Sequence, residues 1–194
     1  MDGRYAVIDV ETTGFSAAAD RVVEMACVVV RAGQVVETWS SLVNPGRAIP
    51  ARATAVHGIT DGDVWWAPMF DVAQARLYSL CSGATVVAHN ARFDLGFLPR
   101  IAPLPSLCTV ELARRAFPNA PNHKNQTLRA YLGIDRDPAV AGVAAHRALG
   151  DALITAAILV RCMSEFRRLG TLRAWLRDRE LHEGRDRSRP FLSP

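Results

Sequence analysis

Four carboxylates stand where a folding chain ordinarily avoids them. Asp9 and Glu11 close the apolar run of residues 4–10. Two residues apart on a strand, they project from the same face of a sheet with Cβ atoms roughly 7 Å apart. Asp94 sits among Phe93, Leu95, Phe97 and Leu98, on what the pattern makes the first turn of a helix. Asp151 belongs to a stripe with Ile154, Thr155, Ile158 and Cys162 on a long helix, beside a second stripe of Leu149, Leu153, Ala156, Val160 and Met163. The polar strip of that helix, Arg147, Arg161, Glu165 and Arg168, lies elsewhere. An ionised carboxylate in apolar surroundings is costly unless it is paired or holds a metal. Each acid alone could cap a turn, meet an arginine or favour a helix dipole. Together they would need four arginine partners, whereas one pair of divalent ions satisfies them all. Hard oxygen ligands, with no Cys/His set for zinc, suit Mg²⁺ or Mn²⁺.

His146 precedes Asp151 by five residues, a rotation of about 140° on an ideal helix. It therefore cannot share the face of Asp151 if both are helical, and belongs on the loop or first turn at the mouth of the site. The small residues of 140–145, including Gly142, make a mobile approach that suits a base closing on bound substrate. Imidazole takes and gives protons near neutral pH, which fits that duty.

The elements that must position these groups follow from periodicity. Residues 4–10, 21–30 and 34–42 read as strands, the last two a hairpin turned at 31–34. A loop containing Asn44, Pro45, Gly46, Pro50, Gly58 and Gly62 leads to a helix over 69–80, with Phe70, Ala73, Leu77 and Leu80 on one face. Residues 84–88 form a buried strand, and Asn90 then caps a helix running to about 100, stopped by Pro103 and Pro105. A fifth strand falls at 106–109, helices at 109–117 and 127–132, the latter with Gly133 as its C-cap, and the longest helix at 144–169. Strands first, then strands alternating with helices, make a mixed α/β sheet flanked by helices.

Composition bounds the rest. The 194 residues are 49% hydrophobic and 22% charged, which excludes a disordered or fibrous chain and supports one sizeable core. Cys27, Cys81, Cys108 and Cys162 are far apart and form no Cys-x-x-Cys pair, so they read as reduced, buried thiols of a cytoplasmic protein. No cleavable signal and no membrane-spanning run stand out. The net charge of +4, with a pI near 9.2, lies in residues 167–194, where eight arginines face four acids. That is the footprint of phosphate backbones or a solvated tail. Residues 1–169 read as one domain. Residues 170–194 read as a basic helix and tail whose Leu172, Trp175 and Leu176 continue an apolar stripe from Leu169.

Three ordered segments carry a family resemblance. Asp9-Val10-Glu11-Thr12-Thr13-Gly14, His89-Asn90-Ala91-Arg92-Phe93-Asp94 and His146-Arg147-Ala148-Leu149-Gly150-Asp151 resemble the three motifs of the DEDDh 3′–5′ exonucleases. Nearest among these are the epsilon-type proofreading exonucleases of bacterial DNA polymerase III. The similarity runs over about residues 4–165 and includes Val56-His57-Gly58-Ile59-Thr60 and Leu128-Arg129-Ala130-Tyr131-Leu132-Gly133-Ile134. Cys108-Thr109, where many relatives have Asp-Thr, departs from it at no catalytic position. The resemblance implies a ribonuclease H-like five-stranded mixed sheet within an exonuclease domain of residues 1–169. It implies that Asp9, Glu11, Asp94 and Asp151 hold two Mg²⁺ or Mn²⁺ ions, one activating water and one stabilising the leaving 3′ oxygen, with His146 as general base. Thr12, Thr13 and Gly14 would offer backbone N–H groups to the terminal nucleotide. His57 and Asn90 would contact that nucleotide or its phosphate, and Phe93 would back the metal site. The implied activity is release of nucleoside monophosphates from DNA 3′ ends in proofreading or repair, with single-stranded DNA preferred and a DNA polymerase subunit as possible partner. Two alternatives stand beside it: trimming of RNA 3′ ends, as in ribonuclease T and oligoribonuclease, or a non-catalytic subunit docking through the tail stripe.

Overall fold

The first apolar run becomes the middle strand of the molecule, β1 (Arg4–Thr12). In the computed structural model, residues 3–136, 140, 142 and 146–168 are described. The tail of residues 170–194, Leu169 and the greater part of the 140–145 loop lie outside them. β2 (Val22–Arg31) and β3 (Gln34–Leu42) form the expected hairpin, turned at Ala32 and Gly33 with φ of 49° and 80°. The remaining strands are β4 (Thr85–Ala88) and β5 (Ser106–Cys108), in the order β3-β2-β1-β4-β5. β1 pairs antiparallel with β2 and parallel with β4, so the sheet is mixed and five-stranded.

The loop expected between β3 and the next helix holds two short helices. α1 (Ala51–His57) starts after Pro50 and closes on Gly58, whose φ of 74° favours glycine. α2 (Asp61–Val64) is set by a reciprocal capping box between Thr60 and Asp63. α3 (Phe70–Cys81) matches its expected face, with Ala73, Leu77 and Leu80 buried. α4 (Ala91–Phe97) ends three residues early, before Leu98 turns to φ −121°, so the prolines do not stop it. Asn90 precedes α4 in the left-handed region (φ 65°) and makes no side-chain cap. α5 (Thr109–Ala116), α6 (Asn125–Tyr131) and a 3-10 turn at Ile134–Arg136 follow. α7 (Ala148–Arg168) begins four residues later than expected, leaving His146 and Arg147 outside the helix.

Alternation along the strands divides the core. Val7, Val28, Val30 and Val87 pack with α5, α6 and α7, while Ala6, Ile8, Met25, Cys27 and Val86 pack with α3 and α4. β2 is buried on both faces, which explains a run that is apolar except for Glu24. On α7 the stripe of Ile154, Thr155, Ile158 and Cys162 is fully buried, and Leu149, Leu153 and Val160 are half-buried at its edge. Cys27, Cys81 and Cys162 are buried free thiols; Cys108 is half-buried, because β5 lies at the sheet edge. Among the described residues no helix is long and apolar enough to cross a membrane.

Candidate active site

β1 leaves the core with Val7, Asp9 and Glu11 on one face, the face covered by α7. Its end lies beside that of parallel β4, and the chain departs from β1 toward β2 on one side and returns through β4 on the other. Crevices at such strand ends are where open α/β sheets bind ligands. Asp151, in the first turn of α7, completes the group: carboxylate oxygens of Asp9, Glu11 and Asp151 all lie within 4.8 Å of one another.

Three carboxylates that close repel one another. Burial, then the charges of Asp94 and Asp151, hold Asp9 well above the usual carboxylate range. Burial and the charge of Asp151 push Glu11 up to about 8. Burial likewise raises Asp151, against hydrogen bonds that lower it: its Oδ2 accepts from the His146 N–H (3.0 Å) and its Oδ1 from Gln126 Nε2 (3.0 Å). Asp94 is 2% exposed and raised by burial to about 8. Its Oδ1 accepts from the Val10 N–H at 3.2 Å, and it stands outside the 4.8 Å group while acting on Asp9 through its charge. Oxygen donors forced together against their own repulsion fit a divalent cation, which removes the repulsion and returns them to the ionised form.

Two residues that the sequence did not single out maintain this geometry. Glu24 on β2 pairs directly with Glu11 across the strands and is itself buried. Arg147 grips it with two hydrogen bonds (Nε–Oε2 3.0 Å, Nη2–Oε1 2.7 Å), and the Ala148 N–H adds a third at 2.9 Å. Arg147 thus stays half in solvent while its charge is spent on Glu24. Its pairing neutralises Glu24, keeps it from competing with Glu11 for a cation, and ties the start of α7 to the sheet. Gln126 is the second, reaching Asp151 from α6, and its neighbour Asn125 joins α6 to α7 through Thr155 Oγ1 (2.8 Å). Neither contact has a signal in residue spacing.

Around the carboxylates, His146 is exposed and left-handed (φ 58°), at the mouth where the sequence reading put it. Thr12 Oγ1 donates to the Gly14 carbonyl. The Thr13 N–H is already given to the Arg21 carbonyl (2.8 Å), so it is not free for a nucleotide as expected. Asp20 accepts from Thr13 Oγ1 and the Ser16 N–H and lies so close over Gly14 that a Cβ there would meet its carboxylate at 2.4–2.6 Å. His57 is buried; its Nδ1 accepts from the Ile59 N–H (3.0 Å), which leaves the proton on Nε2, beside the Thr12 backbone. Asn90 is exposed beside the strand end. Phe93 packs on Phe97 (5.2 Å between centroids) and on Phe15 (6.4 Å), and Phe15 is 90% exposed, an aromatic face that the motif pattern does not reveal.

Comparison with known proteins agrees with this geometry. A "DNA polymerase III subunit epsilon-like protein" of Rhodobacter capsulatus is 40% identical over 176 residues, 86% of this chain and 24% of that one. The "3′-5′ exonuclease DinG" of Bacillus subtilis is 34% identical over 86% of this chain and 18% of its own length. The chain thus spans a quarter or less of these two relatives. A solved structure described as Exonuclease X in complex with 5′ overhanging duplex DNA superposes with a TM-score of 0.72 at 36% identity, covering 83% of this chain and 90% of that one. The exonuclease (RNase_T) family model matches residues 6–159, strands and carboxylates included, and the chain belongs to that family.

Proposed function

We propose that this domain hydrolyses DNA from its 3′ end, releasing nucleoside monophosphates, in proofreading or repair. The observation that carries the reading is the convergence of Asp9, Glu11 and Asp151 to within 4.8 Å under an exposed His146, in a chain of the exonuclease family. Asp9, Glu11, Asp151 and Asp94 would hold two divalent ions, Mg²⁺ or Mn²⁺. Such ions supply Lewis-acid activation of water and neutralise charge on the reacting phosphate. His146 takes the proton of the attacking water; its exposed, left-handed position lets it meet a substrate arriving from solvent. The Nε2–H of His57, beside the Thr12 backbone, is the proposed donor to the terminal nucleotide, Asn90 and the Gly14 turn border it, and Phe15, backed by Phe93, stacks on its base.

DNA rather than RNA is favoured by the likeness to a DNA polymerase III subunit and by the duplex DNA in the Exonuclease X structure. A polymerase subunit is the proposed protein partner, by analogy with the epsilon-like relative. Residues 1–169 are the proposed catalytic domain and residues 170–194 a basic appendage. The proposed location is the cytoplasm, a reading that the four free thiols support. The test is degradation of single-stranded DNA and RNA oligonucleotides labelled at either end, with Mg²⁺, Mn²⁺ or chelator. Metal-dependent stepwise shortening from the 3′ end, faster on DNA, supports the reading. Faster cleavage of RNA would transfer it to RNA ends, and no cleavage of any strand would refute it.

A further inference from the structure

A groove of about 470 Å³ opens beside Asn90, between α5 and the segment leading into α6. Arg114, His123 and Lys124 line it with amides such as Asn90 and Asn125, and no carboxylate does. Residues 1–166 carry as many acids as bases, and Lys124 is the only lysine in the chain, so this is a local concentration of positive charge in a neutral body. Among the described residues, the side chains of Arg114 and Lys124 make no hydrogen bond or ion pair, and both residues are exposed. His89, at the back of the groove, is held by Thr109 Oγ1 on Nδ1 (2.9 Å) and by the His123 backbone. The groove shares walls with the carboxylate site. Asn90 stands at the head of the helix that carries Asp94, and Asn125 adjoins Gln126, which holds Asp151.

We propose that this groove is a subsite for nucleic-acid backbone, receiving the phosphodiesters upstream of the scissile one. Arg114 and Lys124 carry the charge, and the exposed Asn90 amide donates to phosphate oxygens. The proposal rests on the nuclease reading, yet binding tests it apart from catalysis. The strand that presents its 3′ end to Asp9, Glu11 and Asp151 must continue along some surface. This groove lies beside the site, lined by unpaired cations and free of acids.

The experiment measures fluorescence anisotropy of 5′-labelled single-stranded DNA and RNA with excess chelator, so that nothing is cleaved, across a series of salt concentrations. Relative to the wild-type protein, Arg114→Ala/Lys124→Ala should bind about tenfold more weakly at low salt. Its log–log salt slope should be shallower by about 1.4, the share of two phosphates on a single strand. Lys124→Arg should bind as the wild type does, and so should Arg161→Ala, which removes an exposed cation from α7. An unchanged slope, an equal loss from Arg161→Ala, or mononucleotide or inorganic phosphate bound as tightly as the oligonucleotide would overturn the proposal. Hydrolysis of the p-nitrophenyl ester of thymidine 5′-monophosphate, which has no upstream phosphate, should be the same in the double variant. A fall matching that on oligonucleotides would assign both cations to the catalytic centre and overturn the subsite. If the wild-type protein binds strands but cleaves none, the nuclease reading fails while the salt slopes still decide the groove.

Discussion

Arg147→Ala tests whether the Glu24 pair maintains the site. Removing the guanidinium leaves a carboxylate whose side chain is 5% exposed, directly opposite Glu11, with the Ala148 N–H as its remaining donor. Breaking a fully buried pair from one side costs about 3–5 kcal/mol. The Arg147 side chain is 48% exposed, so water replaces part of its role, and about 2–3 kcal/mol is the expected loss. At about 2–4 °C per kcal/mol for a domain of this size, the melting temperature falls by about 4–12 °C. Arg147→Lys recovers part of it, since an ammonium cannot reproduce the two-pronged grip. The decisive comparison is Glu24→Gln/Arg147→Ala, which removes the stranded anion as well and should be more stable than Arg147→Ala by at least about 1 kcal/mol. Urea melts of the four proteins in chelator at neutral pH measure it. A loss below about 0.5 kcal/mol for Arg147→Ala, or a double variant no better than the single one, refutes the reasoning.

The raised carboxylates make the metal-free protein pH-sensitive in a definite direction. With Glu11 moved from about 4.5 to about 8, and Asp9, Asp94 and Asp151 moved the same way, the folded state holds protons more tightly than the unfolded chain. Stability is therefore full below the ordinary carboxylate range and declines as pH rises through about 8. Asp20, Asp63, Glu165 and the imidazoles of His57 and His89, which burial holds down, shift the opposite way, but they titrate in acid, below the rise of Glu11 to about 8. Thermal melts in chelator should fall between pH 6 and pH 9, and added Mn²⁺ should remove most of that fall; a flat or rising profile argues against the crowded-carboxylate picture. Asp9→Asn should raise the melting temperature in chelator, because it deletes one of the mutually repelling charges, while reducing strand hydrolysis to background. Retained hydrolysis, or a destabilised protein, would contradict its assignment. His146→Ala should lower kcat by about 10²- to 10⁴-fold with little change in KM, and single-turnover kinetics showing unchanged chemistry would require another base.

Local periodicity made much of this molecule legible. The β2–β3 hairpin, the inward stripe of α7 and the placing of Asp9 and Glu11 on one face all follow from the runs and repeats of residue type. So does the position of His146, since five residues on a helix cannot bring it to the face of Asp151. The short helices α1 and α2 were hidden in a glycine- and proline-rich stretch, although the Thr60–Asp63 capping box marked one of them.

What spacing could not decide depends on contacts between residues far apart in the chain. The Val10–Asp94 hydrogen bond links positions 84 residues apart, and the Glu24–Arg147 pair spans 123. Residue type alone showed four acids needing cations. The tertiary structure separated Asp9, Glu11 and Asp151 from Asp94 and assigned Arg147 to Glu24 instead. It also committed the Thr13 amide to Arg21 and left Phe15 facing solvent. The physical reason is that a repeat fixes which face of an element a side chain occupies, whereas its partner across the fold is chosen by how the sheet and helices pack.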